Sequence, residues 1–457
     1  MRSLSEKQSC LITRRRLLVT GGGLIGTLFG ACSRGGSQAG QATVPQIVAC
    51  RSRLEFFDPA SPGIQRHNSY SAVISRFTAA RPGCTVDLVF VESAQRLDKL
   101  TAAIAGGVPP ALVGLAPGET RQWVAIGVLA SVDDLFKRDK LHSTDFPVAL
   151  WKQMSYGGNL WFMPGAQTNP DIVLFWNKAH FSEAGLNPEQ GPTTIIELDT
   201  MIQQLTRMQG DDYERVGMIP WDLYGHGNTI QAWGYAFGGS FYDEARDELT
   251  FTHPRILRAV EWYTGWAQRL SLARVAKLRQ VTLPSGTHFF ASGRVSISPI
   301  TSGQLKTSLD YDPTLRVGAG VMPGEAPGRA GTVAVGGWAV AAVAESKQRE
   351  EAWDFMKYAG ASEEGTTIMA RTGAIPGWLK SPGLDELARD PLWKAYVDAL
   401  RRAEFPQLGF YAPGGLDLTP IQEVLDGKRS VVEALQAVHR DANGRYTQWK
   451  SRAQQKR

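Results

Sequence analysis

Thr85-Val86-Asp87-Leu88-Val89-Phe90-Val91, then Ala94 to Ala105 closed by Gly106-Gly107, then Ala111-Leu112-Val113-Gly114-Leu115, decide the fold. The outer runs have the length and β-branched content of strands, and the middle stretch reads as a helix that its glycines stop. The same alternation extends outward. Upstream lies a helix from Tyr70 to Ala80, with Val73, Ile74 and Phe77 on one face and Arg81-Pro82-Gly83 as its stop. Before it, Ile47-Val48-Ala49-Cys50 reads as a short buried strand, and downstream Glu119 to Gly127 reads as a helix. Strands alternating with helices through short connectors predict an α/β fold with a parallel sheet covered on both faces.

A second series begins after Trp161-Phe162-Met163-Pro164. Ile172 to Asn177 is a strongly apolar strand, Thr193 to Met208 a helix carrying Ile196, Met201, Ile202 and Leu205, and Arg255 to Leu270 another. No repeat of fixed period runs through the chain, which argues against solenoids and propellers.

Composition narrows the function. The chain has 457 residues, 43% of them hydrophobic and 20% charged, which fits a folded protein of two or three domains. Its formal charge of +5 is concentrated at one end: Arg2, Lys7, Arg14, Arg15 and Arg16 against Glu6 give residues 1–31 a charge of +4. The remainder is near neutral, unlike a nucleic-acid binder with its concentrated basic face. The basic residues precede Leu17-Leu18-Val19 and a short glycine-rich apolar run, the order of an export signal. Arg14 to Arg16 with the leucines resembles a twin-arginine signal, and Leu28-Phe29-Gly30-Ala31-Cys32 resembles a lipobox. Residues 1–31 are thus expected to be a signal peptide, Cys32 the lipidated first mature residue, and 32–44 a flexible tether. The working part is expected outside the cytoplasm, anchored to the membrane by lipid.

The reactive motifs are missing. The seven histidines form no metal-ligand pair, and there is no CxxC, phosphate-binding glycine loop or nucleophile elbow. Asp133-Asp134, Asp211-Asp212 and Glu363-Glu364 are adjacent carboxylates of the kind found at solvated turns and helix starts. No cofactor and no metal are expected, although two distant carboxylates leave glycoside hydrolysis open as a rival class.

A set of ordered blocks resembles the carbohydrate-type extracellular solute-binding proteins of ABC importers, the group that includes maltose-binding proteins. The blocks are Trp161 to Pro164, Val173 to Lys178, Phe181 to Leu186, Ala236 to Gly239, Phe289 to Ile297, Val317 to Pro323, Gly336-Gly337-Trp338, Ala352 to Tyr358 and Thr372 to Pro376. The resemblance implies a two-lobed fold like that of periplasmic binding proteins, each lobe a mainly parallel sheet flanked by helices, with the ligand held in a cleft between them. Lobe one would comprise 45–170 and 325–375, lobe two 171–324 and 376–457. Closure would use hinges near Asn169 to Ile172, Pro323 to Gly328 and Ile375 to Gly377. It further implies a monomer that is not an enzyme, with a small carbohydrate as ligand and the permease subunits as partners. A sensory or adhesive protein on the same fold is a further alternative.

A sugar presents C–H patches and hydroxyls, so its site needs aromatic planes with neutral or acidic hydrogen-bonding groups. The blocks that border the family's cleft supply Trp221, Trp233, Trp338 and Tyr411 as planes. Glu119, Thr168, Asn169, Asp171, Asp222, Ser302 and Gly303 are the polar partners, and Gly336 and Gly337 would let a ligand approach the backbone. Ser302 to Leu305, the glycine pair and Thr372-Gly373 with Pro376 also resemble glycerol-3-phosphate and glycerophosphodiester binding proteins. That pattern has an arginine in the late loop, and Gln407-Leu408-Gly409-Phe410-Tyr411 has none. A bidentate cation missing where a phosphate would sit favours a neutral or amino sugar. Finally, if Cys50 ends the first strand and Cys84 precedes the second, parallel strands hold the two sulfurs too far apart to bond, and both are expected as free thiols.

Overall fold

The computed structural model describes residues 52–170, 173–223, 226–284, 287–325, 334–413 and 415–455, with the backbone alone at 167–170 and 455. The signal, tether and Cys32 lie outside the described residues, as do Asp171 and Ile172.

The strand series is β1 (Arg53–Asp58), β2 (Thr85–Phe90), β3 (Leu112–Leu115), β4 (Met163–Pro170), β5 (Val173–Asn177), β6 (Ile297–Ile300), β7 (Val317–Val321), β8 (Ala334–Ala342) and β9 (Phe405–Pro406). One large sheet has the order β9-β8-β3-β1-β2, with β4 also paired to β8. Its β1–β2, β1–β3 and β8–β9 pairs are parallel, and β8 runs antiparallel to β3 and β4. A smaller sheet places β5 between β6 and β7. Both of its pairs are antiparallel, so this sheet departs from the expected parallel pattern. All five residues of β5 are buried, which explains an apolar run without alternation.

The helices follow their apolar stripes. Gln65–Ala80 buries Tyr70, Val73 and Phe77 at helical spacing against the large sheet. The helix expected over Thr193 to Met208 is shorter, Ile195–Leu205, because Thr194 and Glu197 form a capping box at its start. Of the apolar residues read on this helix, Ile196 is 75% exposed, while Ile202 and Leu205 turn inward with Ile195 and Leu198. Tyr396, on the helix Pro391–Arg401, closes the smaller sheet by donating its hydroxyl to the Ile300 carbonyl at 2.6 Å.

Cys84 corrects the thiol expectation: it is disulfide-bonded. The first strand is β1, which starts three positions after Cys50 instead of ending at it. Its pattern, Arg-Leu-Glu-Phe-Phe-Asp, buries Leu54 and Phe56 and leaves Arg53 and Glu55 outside, so a search for continuous apolar runs passes over it. Thr85 N–H donates to the Ser52 carbonyl at 3.0 Å, and Arg53 lies opposite Thr85. The chain leading into β1 and the residue preceding β2 therefore share one edge of the sheet, and the premise that put the cysteines at opposite edges fails.

Candidate functional site

The carboxyl ends of β1 and β3 meet the first half of β8 at one edge of the large sheet, where an open α/β sheet takes its ligands. β1 ends in Asp58, which is fully buried. Its Oδ1 accepts the Ala60 N–H at 2.8 Å and Arg66 Nε at 3.2 Å. Its Oδ2 is turned toward Gly114 of β3: a methyl group there would fall 2.0 Å from that oxygen, so only glycine leaves room. Burial pushes the Asp58 carboxyl above the ordinary range, against the pull of Arg66. Arg66 stands on the same helical stripe as Tyr70, Val73 and Phe77. Its guanidinium lies 3.9 Å from the centre of the Trp338 ring.

A second arginine approaches the same indole. Arg96 begins the helix Arg96–Ala105 and is 1% exposed. Its guanidinium carbon is 5.0 Å from the ring centres of both Trp123 and Trp338. Its Nη2 donates to Glu119 Oε2 at 2.5 Å, an oxygen that also accepts the Ala116 N–H at 2.9 Å. Trp338 itself is half-buried, opposite Gln167 of β4 and next to a register shift. Thus two guanidinium groups, each held by a carboxylate, bear on one partly exposed tryptophan.

The predicted residues fall into groups. Glu119, Gly336, Gly337 and Trp338 meet at this edge, and Thr168 and Asn169 pair with Gly337 and Gly336 through the backbone. Gly337 has φ +99°, a conformation that suits glycine. The space beside Gly336 is occupied from within: a methyl group there would fall 1.8 Å from Gln407 Nε2. Gln407 also accepts the Gly118 N–H at 3.2 Å, and its own N–H donates to Gln153 Oε1 at 3.2 Å. It thereby ties the late segment to the sheet edge. Tyr411, four residues on, is nearly buried and stacks on Tyr242 at 4.7 Å.

The other predicted residues lie elsewhere. Trp233 is wholly buried and donates its indole N–H to the Pro220 carbonyl at 2.7 Å, so in this structure it is core and not a ligand plane. Trp221 is 7% exposed, and Asp222 pairs with Arg279. Ser302 is buried as the first residue of the helix Ser302–Tyr311, with Gly303 beside it and Thr301 as its cap.

Sequence reasoning missed Asp58, Arg66, Arg96 and Gln407. A signal for two of them was present: Arg66 stands four residues before buried Tyr70, and Arg96 four before buried Leu100. A charge on the apolar stripe of a helix is uncommon and needs a partner.

Comparison with known proteins resolves the family. Residues 72–395 match the model of the bacterial extracellular solute-binding protein family. The chain belongs to that family. The sn-glycerol-3-phosphate-binding periplasmic protein UgpB of Escherichia coli K12 is 23% identical over 392 residues, covering 80% of this chain and 86% of UgpB. The Yersinia pseudotuberculosis UgpB is 24% identical over 362 residues, covering 74% and 81%. Among solved structures, CpMnBP1 with mannobiose bound has a TM-score of 0.72 at 21% identity, covering 86% of this chain and all of that one. UgpB of Mycobacterium tuberculosis with glycerophosphocholine has a TM-score of 0.72 at 20% identity, covering 87% and 99%. These likenesses establish the two-lobed solute-binding fold. The family is extracellular, and its members are binding proteins.

Proposed function

We propose that this solute-binding protein captures a sugar or amino sugar and hands it to the transmembrane subunits of an ABC importer, with no chemistry of its own. The observation that carries the reading is Trp338: a half-buried indole at the carboxyl edge of the large sheet, in a chain of the solute-binding family. An aromatic plane of this kind offers a sugar's C–H face a large contact. The solved relatives bound to mannobiose and, from Thermotoga lettingae, to α-D-tagatose support the ligand class. Trp221 and Tyr411 serve as further planes, and Glu119, Thr168, Asn169, Asp171, Asp222, Ser302 and Gly303 supply polar contacts. Lobe one takes 45–170 and 325–375 and lobe two 171–324 and 376–457, with β9 crossing back to the large sheet. The protein works as a monomer outside the cytoplasm, exported by its twin-arginine signal and held by lipid on Cys32.

A second reading has a specific observation behind it. Arg96 keeps Nε and Nη1 without hydrogen-bond partners, and the UgpB relatives are glycerol-3-phosphate-binding proteins. Against it, both Arg66 and Arg96 already have a carboxylate, and the late segment brings Gln407 instead of an arginine to the sheet edge. A thermal-shift panel of mannobiose, maltose, tagatose, glycerol-3-phosphate and glycerophosphocholine separates the two. A ligand that binds only the native state raises its melting temperature. The sugar reading requires stabilisation by a sugar, and stabilisation by the phosphates alone replaces it with the second.

A further inference from the structure

We infer that Arg121 is a clasp between the two lobes: an arginine of lobe one seated among aromatic rings of lobe two, which biases the lobes toward the arrangement in which they meet. The inference goes beyond the ligand reading and rests only on the lobe division given with it.

Arg121 stands on the short helix Thr120–Ile126, directly after the Pro117-Gly118-Glu119 turn that follows β3. It is buried, with 8% of its surface exposed. Its guanidinium carbon lies 4.9 Å from the ring centre of Trp449, 5.3 Å from those of Tyr156 and Tyr446, and 5.5 Å from that of Phe410. Tyr156 belongs to lobe one and the other three rings to lobe two. Tyr446 and Trp449 share the helix Val431–Gln455, which is fastened to lobe two where Asn443 and Leu249 exchange two hydrogen bonds of 2.9 Å. Arg121 Nη2 donates to the Tyr446 hydroxyl at 2.8 Å. Lys152 and Glu244 meet across the same boundary at 3.4 Å, but that pair is exposed and contributes little.

The other buried arginines show what kind of contact this is. Arg66 and Arg96 are neutralised inside lobe one, by Asp58 and Glu119. Among the described residues no carboxylate pairs directly with Arg121. Its counter-charge is reached through a hydroxyl: Tyr446 accepts from Arg121 and donates to Asp247. Asp247 also pairs with Lys450 at 3.0 Å and accepts the Tyr242 hydroxyl. Each half is therefore complete when the lobes part. Asp247 keeps Lys450 and Tyr242, and Arg121 returns to water. Splitting a buried ion pair would instead strand a charge. A guanidinium desolvated among aromatic rings is still attracted to them, so the contact favours the arrangement that forms it. A ligand held between lobes enters and leaves when they part, so a residue that biases the lobes acts on affinity without touching the ligand.

The test is a distance measurement by pulsed electron spin resonance on the full chain with no ligand added. The labels are carried on keto amino acids, which leaves the native cysteines untouched. Val108 and Ile196 form a pair across the lobes, and Val108 and Val148 form a control pair within lobe one; all three positions are exposed. Arg121→Met keeps most of the volume and removes the charge. It should move the ratio of parted to joined lobes about tenfold or more toward parted, the scale of a desolvated cation–π contact. Tyr446→Phe keeps the ring and breaks only the relay to Asp247, and should move the ratio the same way by less. Melting curves check that both variants fold, and if Arg121→Met does not, Tyr446→Phe decides alone. An inter-lobe distribution that stays as in wild type overturns the clasp. So does a shift in the control pair, which would mean that Arg121 holds lobe one itself together. No sugar takes part in the measurement, so either result leaves the sugar reading standing.

Discussion

The two edges of the large sheet are built on opposite principles. At the amino edge, Arg53 of β1 and Asp87 of β2 form an ion pair in water, with 82% and 36% of their side chains exposed, beside the disulfide-bonded Cys84. At the carboxyl edge of the same strands, Asp58 and Arg66 form a pair that is 0% and 7% exposed. The same chemistry therefore has different worth at the two ends. An exposed pair contributes little, because water screens it and two long side chains must be ordered. A buried pair is costly to build, and breaking it is costlier still, because one charge is left alone. Here the buried pair holds Arg66 over the Trp338 ring.

The largest effect should come from Asp58→Ala, which strands the Arg66 charge in the interior. A loss of about 3–5 kcal/mol in urea unfolding is expected. Asp58→Ala costing no more than a surface substitution would erase the difference between the edges. Next is the disulfide. With Ser52 bonded to Thr85, Cys50 is the cysteine close enough in sequence to reach Cys84, and peptide mapping of the unreduced protein should recover a Cys50–Cys84 link. Cys84→Ser should lower stability by about 2–4 kcal/mol. Two free thiols by counting would restore the discarded expectation. The smallest effect belongs to Arg53→Ala. Losing the exposed pair with Asp87 should change stability by about 0–1 kcal/mol, and less in high salt. A larger cost would mean that the amino edge also depends on charge.

Much of the architecture could be read from the chain because it depends on periodicity. The strands β2, β3 and β5 and the helix before β2 announce themselves by apolar spacing, within a few residues of their observed ends. β1 was hidden because charged residues interrupt its apolar ones, Leu54, Phe56 and Phe57, and the strand before it in the reading, Ile47 to Cys50, lies outside the described residues. The sense of the smaller sheet was hidden for another reason: β5 pairs with β6, which is 120 residues later, and strand direction is set by tertiary packing. In the site, Gly336-Gly337-Trp338 was legible as a motif, but its neighbours were not. Asp58, Arg66 and Arg96 come from three separate segments, and only the fold brings them, with the predicted Glu119, to one indole. Trp233 shows the converse. By sequence alone it resembles Trp338, but a helix carries it into the core and the Pro220 carbonyl satisfies its N–H.

The central claim is that Trp338 is the ligand plane, and the most direct measurement is the affinity of the tightest-binding sugar for wild type and for Trp338→Ala. Truncating a stacking tryptophan should weaken binding by about 1–3 kcal/mol, roughly five- to 150-fold, with the Trp338→Ala protein still folded by circular dichroism. An affinity that does not change on losing the indole would contradict the account.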